Sequence, residues 1–286
     1  MISRMGVEQV RRERHPNLDF FVADLTSWTA KDDQASMEHP FFSLSKSRDI
    51  AIRYYEHQGN SIRIAPSADG HPTIWDKDIL IYCCSQLVAG MQAGREPQQI
   101  LHLTAYDLLV STNRDTSKHG YNRLKDAFER LAGVRITTDI TTGGERVREG
   151  FGLLDWWRIV EKSPKNSRMV RVEVKLSDWL YRAILHNEVL TLDRDYFRLD
   201  GGIERRLYEL CRKHCGSKTS WSINLPLLYK KSGSRSPLRN FRGAIRKLVG
   251  SDHLPEYDLR FSGDRLTVYS RRRNGVEKSS ASDVNG

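Results

Sequence analysis

The chain has 286 residues and a formal net charge of +10, from 46 Lys and Arg residues against 36 Asp and Glu residues. Its length allows about two domains, and it contains no run of about 18 apolar residues that could cross a membrane. Four cysteines are too few for a disulfide framework, and the first residues lack the apolar core of a signal peptide. We therefore expect a cytoplasmic protein that does not contact membranes.

The N-terminal part of the chain indicates a tail followed by a hairpin. Residues 1–39 are largely polar, and we expect them to be partly flexible. Apolar and polar residues then alternate over 50–54 and again over 62–64. Because Gly59-Asn60 lies between these two runs, the pattern predicts a β-hairpin with Ile50, Ile52 and Tyr54 on one face.

Three helices and a sheet are predicted next. The helices span 76–91, 104–109 and 117–131, and the last of them ends at Gly133. The apolar period then changes from 3.6 to 2, which predicts strands over 134–138, 153–160 and 169–176. This order is typical of a winged helix-turn-helix domain, in which the third helix is the recognition helix and the hairpin is the wing.

The C-terminal part repeats the same order. Helices are predicted at 177–188, 203–214, 225–229 and 237–248, and a hairpin at 257–269. An offset of 117 residues places Phe241 on Leu124 and Ile245 on Phe128, as expected for two related domains.

We therefore predict an α+β fold of tandem winged helix-turn-helix domains. Each domain is expected to be a small helical bundle with an antiparallel β-hairpin wing. The predicted boundaries are an N-terminal tail at 1–39, a first domain at 40–176, a second domain at 177–272 and a disordered tail at 273–286.

The last predicted helix carries the clearest functional pattern. Its arginines are separated by four, three and four residues, so they share one helix face, and no acidic residue occurs between 235 and 248. We expect Ser236 to cap this helix, Pro237 to be its first residue and Gly250 to follow its end. Arginine suits DNA because its planar fork can bind a phosphate or the edge of guanine. The alternative is an amphipathic helix whose arginines are only solvated.

We predict DNA contacts from the third helix of each domain and from both hairpin tips. The candidates share cationic or polar side chains on outward helix faces or beside turns. They are Arg235, Ser236, Arg239, Arg242, Arg246 and Lys247 in the second domain, Ser117, Lys118, Tyr121, Asn122 and Lys125 in the first, and the wing residues Arg146, Arg148, Arg260 and Arg265.

Catalytic and metal-binding patterns are weak. The glycines near 216 lack the spacing of a phosphate-binding loop, and Cys211, His214 and Cys215 lack a second pair of metal ligands. Tyr54-Tyr55 lacks the histidine pair expected beside a nicking nucleophile. We expect a DNA-binding protein that is not an enzyme, with no cofactor and no metal. A transcriptional regulator without a replication role and, less favoured, a DNA-nicking enzyme remain alternatives.

Several segments resemble plasmid replication initiators of the replication initiator protein A type, over roughly residues 18–272. They are HPFFSLSK (39–46), IWDKDILIYCCSQL (74–87), SKHGYNRLKDAFERLAGVRITTDI (117–140), VKLSDWLYRAI (174–184), DYFRLDGGIERRLYELCRKHCG (195–216) and SPLRNFRGAIRKL (236–248).

This resemblance implies two winged-helix domains that bind repeated origin sequences (iterons) in double-stranded DNA. It also implies origin opening, recruitment of the host replication initiator and helicase machinery, plasmid copy control, and repression of its own gene as a homodimer. Arg239, Arg242 and Arg246 match the C-terminal recognition helix of such proteins. Lys118, Asn122 and Lys125 match the N-terminal one.

Overall fold

The structure is a computed structural model that describes residues 29–57, 59–163 and 166–271. The flexible segment expected before residue 29 and the tail expected after residue 272 lie outside these ranges. Residues 31–38, predicted as part of the tail, form a strand and a helix. No helix among the described residues is long and apolar enough to cross a membrane.

Helices and strands are mixed along the chain, which confirms the predicted α+β class in its coarse form. The elements of the N-terminal part are β1 (Lys31–Asp33), α1 (Gln34–Glu38), β2 (Arg53–His57), β3 (Asn60–Ala65), α2 (Lys77–Gln92), β4 (Ile100–Leu103), α3 (Ala105–Ser111), α4 (Lys118–Gly133), β5 (Arg135–Thr138), β6 (Glu149–Phe151), β7 (Leu154–Ser163) and β8 (Asn166–Leu176).

The elements that follow are α5 (Asp178–Leu185), β9 (Val189–Thr191), a 3-10 turn (Arg194–Arg198), α6 (Gly202–Cys215), β10 (Ser220–Asn224), α7 (Leu225–Ser232), α8 (Leu238–Ser251), β11 (Tyr257–Ser262) and β12 (Arg265–Ser270). The strands of the described residues form four antiparallel sheets, in the orders β1-β9, β2-β3-β5-β6, β4-β8-β7 and β10-β12-β11.

One topology occurs twice. The first unit, α2–β4–α3–α4–β7–β8, and the second unit, α6–β10–α7–α8–β11–β12, both run helix, strand, helix, helix, hairpin. In each unit the lone strand pairs with the second strand of the hairpin. The first unit differs because β5 and β6 are inserted between α4 and the hairpin, and they extend the sheet of β2 and β3.

Local signals placed most helix ends correctly. Thr104 caps α3 by accepting a hydrogen bond from the Asp107 amide, and Ser177 caps α5 in the same way. The predicted ends of the arginine-rich helix were wrong. Pro237, not Ser236, is the cap residue of α8, and the helix continues through Gly250 to a left-handed Asp252.

The first predicted hairpin is present as β2–β3, and it buries Tyr55 and not Tyr54. Tyr54 is 74% exposed and Ile52 is exposed as well, whereas Tyr55 is buried. The Tyr55 ring packs edge-on against His39 and lies beneath the ammonium group of Lys230. A shift of one residue in the pairing register moves every side chain of a strand to the opposite face. The contacts with His39 and Lys230 therefore decide which face of β2 is buried, and the alternation of apolar residues does not.

Two hydrophobic cores lie side by side. The first includes Phe128 and Trp157, whose rings stack at 5.5 Å, and the second surrounds Tyr208 and Phe241. Helix α5, which follows residue 176, packs into the first core because Trp179 stacks on Phe151 at 4.7 Å. The domain boundary at 176–177 stays a prediction.

A buried set of charges joins the two cores, and we call it the junction network: Asp32, Lys77, Asp78, Arg205, Arg206 and Glu209. The Lys77 ammonium lies 2.6 Å from Asp32 and 3.0 Å from Glu209. Burial alone would lower the pKa of Lys77, but these two carboxylates raise it above its usual range.

The remaining members link α6 to the N-terminal part of the chain. The Arg205 guanidinium lies 2.7 Å from Asp78, and Arg206 lies 3.0 Å from Glu209. Arg206 also donates to the backbone carbonyls of Ser36 and Lys231. The second unit is therefore held against β1, α1 and the start of α2 by contacts that involve full charges.

Candidate nucleic-acid interface

Helix α8 has one buried side and one cationic side. Phe241, Ile245 and Leu248 are buried in the second core, as predicted. Arg239, Arg246 and Lys247 are exposed on the rest of the helix surface. The structure therefore has the predicted apolar and cationic sides of this helix, and the cationic side is exposed to solvent.

The three central arginines have different surroundings. Arg242 is 36% exposed and its Nη2 atom lies 2.9 Å from Oδ1 and 3.0 Å from Oδ2 of Asp264. The Arg246 guanidinium lies 5.9 Å from the centre of the Phe261 ring. The Arg239 side chain forms no hydrogen bond, ion pair or ring contact among the residues that the structure describes. One of these three arginines is thus paired with a carboxylate, and none of the three is buried.

Arg235 and Ser236 lie before the helix; Arg235 contacts the segment before β2, and Ser236 contacts α7. The Arg235 guanidinium lies 2.5 Å from Asp49, which also pairs with Arg53 at 3.0 Å. Burial alone would raise the pKa of Asp49, but the Ala51 amide and these two guanidinium groups hold it below its usual range. The carbonyl of Ser236 accepts a hydrogen bond from the Tyr229 hydroxyl.

Helix α4 presents a mixed surface. Ser117, Lys118 and Asn122 are exposed, while Tyr121 and Lys125 are half-buried and make contacts. Acidic residues share the exposed surface of this helix, since Asp126 and Glu129 are also exposed. The α4 surface is therefore less cationic than that of α8.

Two further arginines of α4 were missed by the sequence reasoning. Arg123 pairs with Asp115 at 3.2 Å, and Arg130 binds both carboxylate oxygens of Asp76 at 2.7 and 2.9 Å. The Arg130–Asp76 pair ties α4 to the residue that precedes α2. It explains why the Asp76 side chain makes no capping hydrogen bond to α2.

The structure places Arg146 and Arg148 away from the hairpin β7–β8. They lie in the loop between β5 and β6, just after the Gly143-Gly144 turn, and their contact with DNA stays a prediction. Arg146 lies 2.9 Å from Asp139 and donates to the carbonyl of Gly59 at 2.7 Å. Arg148 is exposed. The turn between β5 and β6 belongs to the sheet of β2 and β3, and no local pattern in the sequence indicates that pairing.

The hairpin β11–β12 lies where it was predicted, and its tip packs back on the helices. Arg260 is exposed above the Tyr269 ring at 5.0 Å, and Arg265 is exposed opposite Asn224. The carbonyl of Asp264 accepts a hydrogen bond from the Leu225 amide at 2.7 Å. Asp264 thus lies where the hairpin tip contacts α7 and α8. The sequence prediction, which considered cationic and polar residues, did not include it.

The cysteines form part of the cores. All four are buried free thiols, and burial raises the pKa of Cys83 to about 12. Thiols of this kind are unreactive because the thiolate form is disfavoured. The residues that the structure describes contain no group of three His, Cys, Asp or Glu side chains that could hold a metal ion.

Comparisons with solved structures define the fold class. A crystal structure of selenomethionine derivatives of domains 2 and 3 of RctB matches with a TM-score of 0.59 at 10% identity, covering 80% of this chain and 94% of that one. A second structure of RctB domains 2–3 matches with a TM-score of 0.54 at 13% identity, covering 85% of this chain and 99% of that one. At these identities the likeness shows a shared fold.

Sequence comparisons identify the family. A "Putative replication protein" of Wigglesworthia glossinidia brevipalpis is 37% identical over 247 residues, which is 85% of this chain and 90% of that protein. The family model of Replication initiator protein A matches residues 31–259, from β1 to β11. The chain therefore belongs to the replication initiator protein A family, as the sequence predicted, and this membership supports a role in the initiation of replication.

Proposed function

We propose that the chain is a sequence-specific, double-stranded DNA-binding initiator built from two tandem winged helix-turn-helix domains. The twofold occurrence of helix, strand, helix, helix and hairpin supports this proposal. In each unit the third helix, α4 or α8, is then the recognition helix. The observation that carries the proposal is the α8 surface, where exposed cations lie opposite side chains anchored in the core.

The cationic surface accounts for affinity through phosphate contacts. Arg239, Arg246 and Lys247 are exposed and can neutralise phosphates along one groove. About six to ten phosphate contacts, shared by the two units, would make binding fall steeply with salt. Base contacts by a smaller number of side chains then supply the sequence preference.

Family membership extends the proposal to the origin. We infer that the protein binds plasmid origin repeats (iterons), promotes opening of the origin and recruits the host replication initiator and helicase machinery. As a homodimer it represses its own gene, and it carries out no catalytic step itself. The replication role is favoured over a purely transcriptional one because the relatives belong to a family of replication initiators.

Footprinting on the DNA upstream of the gene tests where the protein binds. Regularly spaced protected repeats support origin binding, and a single protected palindrome supports a regulator alone. The same DNA, placed on a plasmid that lacks another origin, should replicate only when the protein is supplied. A covalent or nicked product on supercoiled DNA with Mg²⁺ would contradict the absence of a catalytic step.

A gel-shift titration with the double variant Arg239→Ala/Arg246→Ala tests the surface itself. Both side chains are exposed, so the fold is retained while affinity drops at least tenfold if each contacts DNA. Arg198→Ala is the matched control, because it removes an equally exposed arginine from the 3-10 turn. Equal affinities of the double variant and the wild type would refute the assignment of α8.

A further inference from the structure

The hairpin tip of the second unit holds an acidic residue against the cationic row of α8. Asp264 lies 22 positions after Arg242 in the chain, and both of its carboxylate oxygens lie within 3.0 Å of Arg242 Nη2. Arg242 is the only arginine of α8 with a carboxylate partner among the described residues. An acid on a DNA-binding surface repels phosphate, so its position calls for another role.

The carboxylate of Asp264 is held in place by its backbone. Gly263, at a φ of 57°, and Asp264 form a two-residue turn between the paired residues Ser262 and Arg265. Such tight turns need a residue that tolerates a left-handed conformation, which glycine does. The Asp264 carbonyl is fixed by the Leu225 amide at 2.7 Å. The backbone position of Asp264 is therefore fixed, and its carboxylate can orient the longer side chain of Arg242.

Only one end of the Arg242 side chain is available to a ligand. Its Nε atom is buried and forms no hydrogen bond in the described part of the chain. Nη2 donates to Asp264, and the described residues provide no hydrogen-bond partner for Nη1. An arginine held in this way has lost part of its rotational freedom before DNA arrives, so less freedom is lost on binding. It is suited to a contact that demands one direction, such as a single hydrogen bond to O6 of guanine in the major groove.

We propose that Asp264 is the positioning residue of α8: it orients Arg242 and thereby sets a guanine preference at one base pair of the target. This inference rests on the proposed function. Arg239 has no partner among the described residues and Arg246 lies over Phe261, so neither is fixed by a carboxylate, and they serve phosphates. The two kinds of arginine on one helix then have separate roles, one in specificity and the others in affinity.

Selection from a library of random-sequence DNA duplexes, followed by sequencing, tests this assignment on the full chain. The wild type is compared with Asp264→Asn, Arg242→Ala and the double variant. We expect Asp264→Asn and Arg242→Ala to lose guanine preference at the same position, by roughly five- to 150-fold, while other positions keep theirs. The double variant should lose no more than Arg242→Ala alone, because both changes remove one contact.

Two further variants separate positioning from charge and from folding. Asp258→Asn removes an exposed, arginine-paired carboxylate from the same hairpin, and it should keep every base preference. Asp264→Glu retains the carboxylate and should restore part of the guanine preference. A loss of fold in Asp264→Asn would lower binding to all sequences together and leave the preference of the folded fraction unchanged.

The outcomes distinguish this inference from the proposed function. If the wild type selects no sequence, the proposed function and the inference both fail. If the wild type selects a sequence and Asp264→Asn keeps all of its base preferences, only the role of Asp264 is refuted. A uniform rise in affinity of Asp264→Asn, with unchanged preferences, would show that the carboxylate merely repels phosphate.

Discussion

The junction network yields a sharp prediction for the variant Glu209→Gln. The Glu209 carboxylate is 1% exposed and contacts the Lys77 ammonium, the Arg206 guanidinium and the Tyr196 hydroxyl. Glutamine keeps the volume and one acceptor oxygen but removes the charge. Lys77 is then left with Asp32 alone, while Arg206 keeps only backbone carbonyls.

The expected loss in the free energy of unfolding follows from these contacts. Removing one partner of a buried ion pair costs about 3–5 kcal/mol, because the other charge is left uncompensated. Asp32 and the carbonyls that bind Arg206 compensate in part, so we expect about 2–4 kcal/mol. Combined with Lys77→Met, the loss should be less than additive, since the two residues form one pair.

Urea unfolding at pH 7, followed by tryptophan fluorescence and circular dichroism, measures this loss. With an m value of about 3 kcal/mol per M, a loss of 3 kcal/mol shifts the midpoint by about 1 M. The matched control is Asp195→Asn, an exposed carboxylate paired with Arg198, which should change stability by less than about 0.5 kcal/mol. A Glu209→Gln midpoint equal to that of the control would refute the structural role of the network.

Three other predictions concern DNA binding, pH and helix packing. Arg239→Gln should reduce the slope of log affinity against log salt concentration by about one, as measured by fluorescence anisotropy with labelled DNA. Arg198→Gln should leave this slope unchanged. A reduced slope for Arg198→Gln with an unchanged slope for Arg239→Gln would contradict the α8 interface. Burial lowers the pKa of His39 to about 4, so the unfolded chain binds this proton at a higher pH than the folded chain does. The free energy of unfolding therefore falls as the pH drops from about 6.5 towards 4. His39→Phe should remove about 2 kcal/mol of the difference between pH 7.5 and pH 5, and an unaltered urea midpoint difference would exclude this histidine as the cause. Gly120→Ala should destabilise by about 1–3 kcal/mol in the same assay, because the added Cβ would lie 1.7 Å from a backbone oxygen. The added Cβ of Gly243→Ala would contact no other atom, so that variant should be neutral or stabilising. Similar effects of the two variants would argue against the close approach at the start of α4.

Short-range patterns were sufficient for the helices from α2 onward and for the last hairpin. The period of apolar residues predicted α3 and α5, and the two-sided character of α8 followed from spacing alone. These features depend on residues within one or two turns of each other, which the sequence contains directly.

Features that depend on distant residues could not be predicted. The inward face of β2 is decided by contacts of Tyr55 with His39 and Lys230, and the location of Arg146 by the pairing of β5 with β3. The partner of Arg242 is an aspartate 22 positions away on a hairpin tip. In each case the deciding neighbour is brought close only by the fold, so no local signal could have found it.

The charges buried between the two cores have a consequence for the proposed DNA complex. Because buried ion pairs and hydrogen bonds join α1, α2 and α6, we expect α4 and α8, the proposed recognition helices, to keep a set separation when they bind a duplex. We then expect the DNA to adjust to this fixed separation, through local bending or unwinding. Pyrimidine–purine steps between the two contacted stretches deform at the lowest energetic cost, so base pairs untouched by any side chain contribute to target choice.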